Sequence, residues 1–297
     1  MKKIVFFTET EWAFGTIHYE LTKNLFVQGI NANVLPWNKA YSRQEISELC
    51  AVIDYFVSTP YGVAILIDSY GVKPEQCIVV AHAVLDIECL KTFLPENVLR
   101  LYAYSAVSNW LIEQSQLHSI DRVPSYTPIG INYSAFATAP SRELRIVGYA
   151  GAINPDNIHR HIKRPWLVEK ATQQSGLAFQ AAHGYHNSFV TMPGFYNAVD
   201  AVVVASTEEG AGLPALEASA AGKLVISTPV GLWLAKAGSS GHTVPIEENA
   251  FLKSTISHLE YYRDNATAYH LKCLDTQEHA RRYDWSNVIH HWVKLIK

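Results

Sequence analysis

The sequence predicts an α/β protein made of two domains, each built on a parallel sheet. Three observations carry this. The chain has 297 residues, more than one ordinary α/β core holds and enough for two. Its composition is 48% hydrophobic and 17% charged, which supplies buried cores and argues against wholesale disorder. Short apolar, β-branched runs alternate along it with stretches of helical period, the order that builds strand–helix–strand units.

Ile4 to Phe7 is a first buried strand, too short for a signal-peptide core because Glu9 and Glu11 follow at once. Ile17, Leu21 and Leu25 recur at helical spacing, Gly29 ends that helix, and Asn33 to Pro36 is a second strand. Ile53 to Val57 and Cys77 to Ala81 are predicted strands, and Val63 to Ser69 and Asn109 to Gln116 predicted helices. Val98 to Ala103 and Ala106-Val107 bracket further short elements. Pro124 to Phe136 has no clear period. The small-residue run Ala137 to Ser141 places the domain boundary near 138 to 143, giving domains 1–140 and 141–297, with the final helix able to cross back. In the second domain the predicted strands are Arg145 to Ala150, Ala178 to Ala182, Val199 to Ala205 and Leu224 to Ser227. Trp166 to Gln174, Pro214 to Ala221, Ala250 to His258 and Asn265 to Arg282 are predicted helices. In such folds ligands sit beyond the carboxyl ends of strands, so the loops after them are the places to look.

Several function classes are excluded or weakened. A net charge of -3 is not that of a nucleic-acid binder, so no nucleic-acid partner is expected. The N-terminal half carries 11 Lys and Arg against 14 Asp and Glu, so no electrostatic membrane anchor is indicated, although hydrophobic contact with a membrane stays open. Cys50, Cys77, Cys89 and Cys273 form no CxxC pair and imply a reducing, cytoplasmic setting. His159, His161, His183 and His186 lack the carboxylate partners of a metal centre, so no metal is expected.

The densest chemical signal runs from Ser206 to Gly231. A buried strand enters a loop in which Gly210 and Gly212 flank Ala211 and permit close approach of backbone to ligand. Leu213 and Pro214 then open a helix whose free N–H groups suit an anion. Glu209 lies before that helix and Glu217 within it, with seven residues between them, so the two carboxylates can take hydroxyls at two ends of one ligand.

This arrangement, Glu-Gly-x-Gly-Leu-Pro-x-x-Glu-Ala followed by an apolar strand and a glycine, resembles the EX7E region of GT-B glycosyltransferases, family 4 in particular. Pro128 to Asn132 with Phe136, Gly148 to Gly151, and Asp284-Trp285 resemble further segments of that family. The resemblance implies two Rossmann-like domains facing a cleft, and a retaining glycosyltransferase that moves a sugar from a nucleotide-diphosphate donor to a glycan, lipid-linked or small-molecule acceptor. No cofactor or metal would be needed, in keeping with the absence of Asp-x-Asp. Glu209 would contact the transferred sugar and Glu217 the ribose. His82 would lie at the catalytic face. Gly15 and the 210–213 loop would approach the donor. Lys163 and Arg164 would hold its diphosphate; Arg160 or Arg164 would stand in for the family's second cation, with Arg164 preferred for its forked guanidinium. The family's Arg after the glycine is Ala152 here, which leaves a second reading open: a degenerate subunit that binds nucleotide-sugar or glycan in support of a partner transferase. Sugar-nucleotide epimerases share the two-domain plan but lack the Gly-Leu-Pro arrangement.

Overall fold

The computed structural model describes residues 1–10, 12–151, 153–154, 157, 159–182, 191–234 and 241–297. The chain forms two compact units, one of Met1–Gly130 with Trp285–Lys297 and one of Ile131–Asp284.

In the first unit the elements run β1 (Lys2–Thr8), α1 (Trp12–Val27), β2 (Ile30–Pro36), α2 (Arg43–Val52), β3 (Tyr55–Ser58), α3 (Pro60–Tyr70), β4 (Cys77–Ala81), α4 (Val84–Phe93), β5 (Ala103–Ala106), α5 (Asn109–Leu117) and β6 (Ser125–Tyr126). The six strands are all parallel, in the order β2-β1-β3-β4-β5-β6. β4 is buried along its whole length, as a continuous apolar run in a sheet covered on both faces must be. α3 has matched start and stop signals. Thr59 caps it, Pro60 occupies its first turn, and Gly71 ends it in the left-handed conformation at φ 75°. The order reverses between β1 and β3, so the switch point lies at the carboxyl ends of these strands.

In the second unit the elements are α6 (Tyr133–Phe136), β7 (Ile146–Tyr149), α7 (Arg160–Lys163), α8 (Pro165–Gln174), β8 (Ala178–Ala181), α9 (Met192–Ala198), β9 (Ala201–Val204), α10 (Leu213–Ala220), β10 (Leu224–Ser227), β11 (His242–Thr243), α11 (Glu248–Asp264) and α12 (Ala266–Ala280). The sheet is again parallel, in the order β11-β10-β9-β7-β8. Its switch point falls between β7 and β9. Leu144, Val147, Val203, Ile226, Phe251 and Leu259 are among the side chains of its core. Burying such groups at about 25 cal/mol per Å² is what holds the layers together.

The last helix, α13 (Trp285–Ile296), belongs to the first unit. Trp285, Val288, Ile289, Trp292, Leu295 and Ile296 form its buried stripe at helical spacing. Trp292 Nε1 donates to Pro128 O at 2.9 Å. A Cβ on Gly130 would stand 2.5 Å from Trp285 Cδ2, so only glycine lets the indole lie against the chain there.

The units change at Gly130, ahead of the boundary expected at 138 to 143. The intervening segment is tied into the second unit: Thr138 Oγ1 donates to Ala221 O at 2.9 Å, and Ser141 N to Gly222 O at 3.2 Å. No described helix is long and apolar enough to cross a membrane.

Candidate functional site

The second unit brings two of the sequence-predicted residues together at its switch point. The chain leaving β7 carries Lys163, and the chain leaving β9 carries Glu209, because neighbouring parallel strands deliver their following loops to the same edge. Thr207 N donates to Ile162 O at 2.9 Å and binds the two loops together. Lys163 Nζ then lies 2.7 Å from Glu209 Oε1. Ser206 Oγ donates to the same oxygen, also at 2.7 Å. Glu209 is largely covered, its side chain 12% exposed, while that of Lys163 is 38% exposed. Tyr149, at the end of β7, is held well above the ordinary phenol range by burial and by the Glu209 charge.

Beyond Glu209 the loop turns into α10. Gly212 is its N-cap at φ 76°, a conformation that L side chains rarely adopt. No side chain caps the helix; Pro214 brings no N–H and Ala215 N donates to Gly212 O at 3.1 Å, so the positive end of the helix is presented through the N–H groups of Gly212 and Leu213. Leu232 N donates to Ala211 O at 3.0 Å, and a Cβ on Gly231 would meet that carbonyl at 2.8 Å, so the loop after β10 supports the Gly210-Ala211 turn from behind.

Glu217 lies two turns along α10. Tyr196, wholly buried on α9, donates its hydroxyl to Glu217 Oε2 at 2.7 Å. The residue keeps a partly accessible face, yet the protein packed around its carboxyl pushes the pKa up to about 7, with the Tyr196 hydrogen bond acting in the opposite direction. At neutral pH this carboxyl therefore sits near its midpoint.

Arg164 is placed otherwise than its sequence suggests. Its side chain is turned into the unit and is 5% exposed. Nε donates to Ala205 O and Nη1 to Ile246 O, each at 2.6 Å, and the guanidinium lies 5.8 Å from the Phe251 ring centre. Its backbone holds φ 48° between α7 and α8. Burial lowers its pKa. Arg164 thus ties the carboxyl ends of β9 and β11 together, and Lys163 is the cation beside Glu209. Ala152, His183 and His186 lie outside the described residues.

His82 and Gly15 belong to the first unit. His82 follows β4 at its carboxyl end. Its backbone N–H and that of Ala83 donate to Asp86 Oδ2, at 2.6 and 2.9 Å, which opens α4. Burial and the neighbouring His18, whose ring centre is 6.4 Å away, push the His82 pKa down to about 3, so its imidazole is neutral at physiological pH. Asp86 is pushed up to about 6 by burial. Gly15 lies inside α1 rather than in the preceding loop, and the carbonyl of Thr10 occupies the space a side chain would need. Backbone packing accounts for that glycine.

Two units, each a parallel sheet with interleaved helices, give the chain the GT-B class of α/β fold, as the solved structures of similar fold show. Residues 139–260 match the family model for glycosyl transferases group 1. Solved structures of similar fold include HepE of Anabaena in complex with UDP-glucose, at TM-score 0.69 and 13% identity, covering 99% of each chain. A glycosyltransferase from Rickettsia africae has TM-score 0.69 and 13% identity over 100% of this chain and 98% of the other. Sucrose-phosphate synthase from Thermosynechococcus elongatus has TM-score 0.68 and 14% identity over 99% and 98%. No curated protein sequence matches the chain.

Proposed function

We propose that the protein is a retaining glycosyltransferase that takes a sugar from a nucleoside-diphosphate donor and passes it to a hydroxyl of a glycan, lipid-linked or small-molecule acceptor, in the cytoplasm and without a metal. The observation that carries this is the Lys163–Glu209 pair on the loops ahead of α10, with Glu217 held by Tyr196 within that helix. Similar structures bound to UDP-glucose, and to UDP and glucose, support a sugar-nucleotide donor.

In this reading Glu217 accepts the ribose hydroxyls, and Lys163 with the N–H groups of Gly212 and Leu213 takes the diphosphate. The anomeric C–O bond to the diphosphate breaks, and the charge left on its oxygens is stabilised by these donors. The acceptor hydroxyl attacks from the same face, and its proton passes to the departing phosphate oxygen. Glu209 holds the sugar's hydroxyls and is not the nucleophile, in keeping with two donors already on its Oε1. His82, neutral, exchanges hydrogen bonds with substrate hydroxyls and adds no charge.

The internal commitment of Arg164 favours a second reading, in which a one-cation site binds nucleotide-sugar in support of a partner transferase. A thermal-shift screen against UDP, GDP, ADP, TDP and CMP, with Glu217→Ala as control, tests both. A shift with one nucleotide that the variant loses supports donor binding, and turnover of the matching sugar-nucleotide with acceptor separates enzyme from subunit. No shift with any nucleotide refutes both.

A further inference from the structure

We infer that Tyr196 is the positioning residue of Glu217: its hydroxyl fixes one carboxylate oxygen and favours the ionised form against burial, so that donor affinity follows pH across the neutral range. This rests on the reading of Glu217 as the nucleotide-holding carboxylate.

The geometry that carries it is built from three distant segments of one unit. Tyr196 is fully buried, and its ring is wedged between Phe136 of α6, 5.8 Å away at 67°, and Phe195, 5.2 Å away at 64°. Both are edge-on aromatic contacts of the favourable kind, so the phenol cannot swing. Its hydroxyl reaches Glu217 Oε2 at 2.7 Å, the length of a charge-assisted hydrogen bond. With Oε2 held, the other oxygen of Glu217 is presented in a fixed direction from the second turn of α10.

The surroundings leave Tyr196 as the controlling group among the described residues. α10 packs against β9, β10, α6, α9 and α12. β9 and β10 carry no titratable side chain, α6 contributes Tyr133, and α9 contributes Tyr196. On α12, Lys272 pairs with Asp275 and Glu278 with Arg281, Tyr269 donates to Asp200 O, His270 Nδ1 bonds to Ser141 O, and Cys273 and His279 are the remaining titratable groups. Only burial and Tyr196 act on the Glu217 carboxyl, the first disfavouring its charge and the second favouring it. Those opposed influences leave the midpoint near neutrality, where small changes in pH change the ionised fraction most.

The test is a carbon-13 carboxyl NMR titration of the full chain labelled at glutamate, with Glu217→Gln to identify the signal, together with calorimetric UDP binding at pH 7 and pH 9. In the wild type the Glu217 signal titrates near neutrality. Tyr196→Phe raises its midpoint by about one unit, because a hydrogen bond to the charged form is lost. UDP then binds about fivefold more weakly at pH 7 and within about twofold of wild type at pH 9, following the ionised fraction. A merely structural role for Tyr196 would weaken binding equally at both pH values. An unmoved Glu217 midpoint, or equal weakening at both, overturns the inference. Should Tyr196→Phe fail to fold, Glu217→Gln decides the matter. Its side chain cannot titrate, so its UDP affinity must be flat between pH 7 and 9, where the terminal phosphate of UDP (second pKa about 6) is almost fully ionised, and a wild-type slope that survives there refutes the proposal. A wild-type protein that binds no UDP at any pH overturns the nucleotide reading instead, and the NMR titration still decides whether Tyr196 controls Glu217.

Discussion

Lys163 has two claimants in the proposed reaction, the Glu209 carboxylate that holds it in this structure and the diphosphate of an incoming donor. Replacing Glu209 by Gln keeps the shape and removes one claimant. Two unit charges about 4 Å apart near a protein surface attract by about 4 kcal/mol before desolvation and side-chain entropy are counted. Lys163 keeps 38% of its side-chain surface in solvent, so solvent screening reduces the net worth of the pair to about 1 kcal/mol. Donor binding must give this up to recruit the lysine. Glu209→Gln should therefore bind UDP about fivefold more tightly, as about 1 kcal/mol corresponds to that factor. Its rate of sugar transfer should fall, since the carboxylate that would hold the sugar is gone. Lys163→Ala should do the opposite to binding and weaken UDP about tenfold or more. Isothermal titration at low salt measures both, and the Glu209→Gln gain should shrink as salt is added. If Glu209→Gln weakens UDP as much as Lys163→Ala does, Glu209 is a nucleotide ligand and the competition argument fails.

Other outcomes can be checked directly. Arg164→Ala should destabilise the second unit by about 2–4 kcal/mol in denaturant melts, because the carbonyls of Ala205 and Ile246 lose their donors, while UDP affinity of the folded protein stays within about threefold of wild type. A loss as large as that of Lys163→Ala would return Arg164 to the phosphate site. Gly130→Ala should cost about 1–3 kcal/mol, since the new methyl collides with the Trp285 ring, and Trp285→Ala should make it harmless in a double-mutant cycle. His242 stacks on His258 with ring centres 4.0 Å apart and bonds to the Tyr262 hydroxyl at 2.8 Å. Burial, then His258 and Lys272, push its pKa down to about 4. The unfolded chain takes up this proton below pH 6.5 and the folded one only below about 4, so stability falls as pH drops between those values and levels off beneath them. His242→Gln should flatten that part of the melting-temperature profile, and an unchanged slope would mean the stack carries no such penalty.

The glutamate loop was legible because one stretch of sequence builds it. Strand, glycine turn, proline and helix follow in order, and β9, α10 and β10 fall where their residues indicate. β4 was equally plain as an unbroken apolar run over Cys77–Ala81. α2 was missed because it is short and buries only Ile46 fully, although Ser42 and Glu45 spell a capping box that could have announced it. α4 and the short α9 were missed as well, and with α9 went Tyr196. Its meeting with Glu217 is made by the packing of α9 against α10, which no spacing along the chain records. Arg164 misled for a related reason. A cation beside a lysine reads as part of a charged surface, but the positive φ of its backbone turns the side chain inward. The following Pro165 was the available hint, since a residue before proline is steered out of the right-handed helical region.

Tyr283 and Ile131 meet at the ends of the second unit, where Ile131 N donates to Tyr283 O at 2.8 Å and Ile131 bridges Asp284. Entry and exit of that unit are therefore one place, and its residues interrupt the sequence of the first between Gly130 and Trp285. On a ribosome making the chain from its amino end, every residue of the inserted unit emerges before α13 does. The unit encoded second is the one able to finish folding first. The first waits with the sites for Trp285 and Trp292 unfilled, its apolar surface open to chaperones, until the last helix is released.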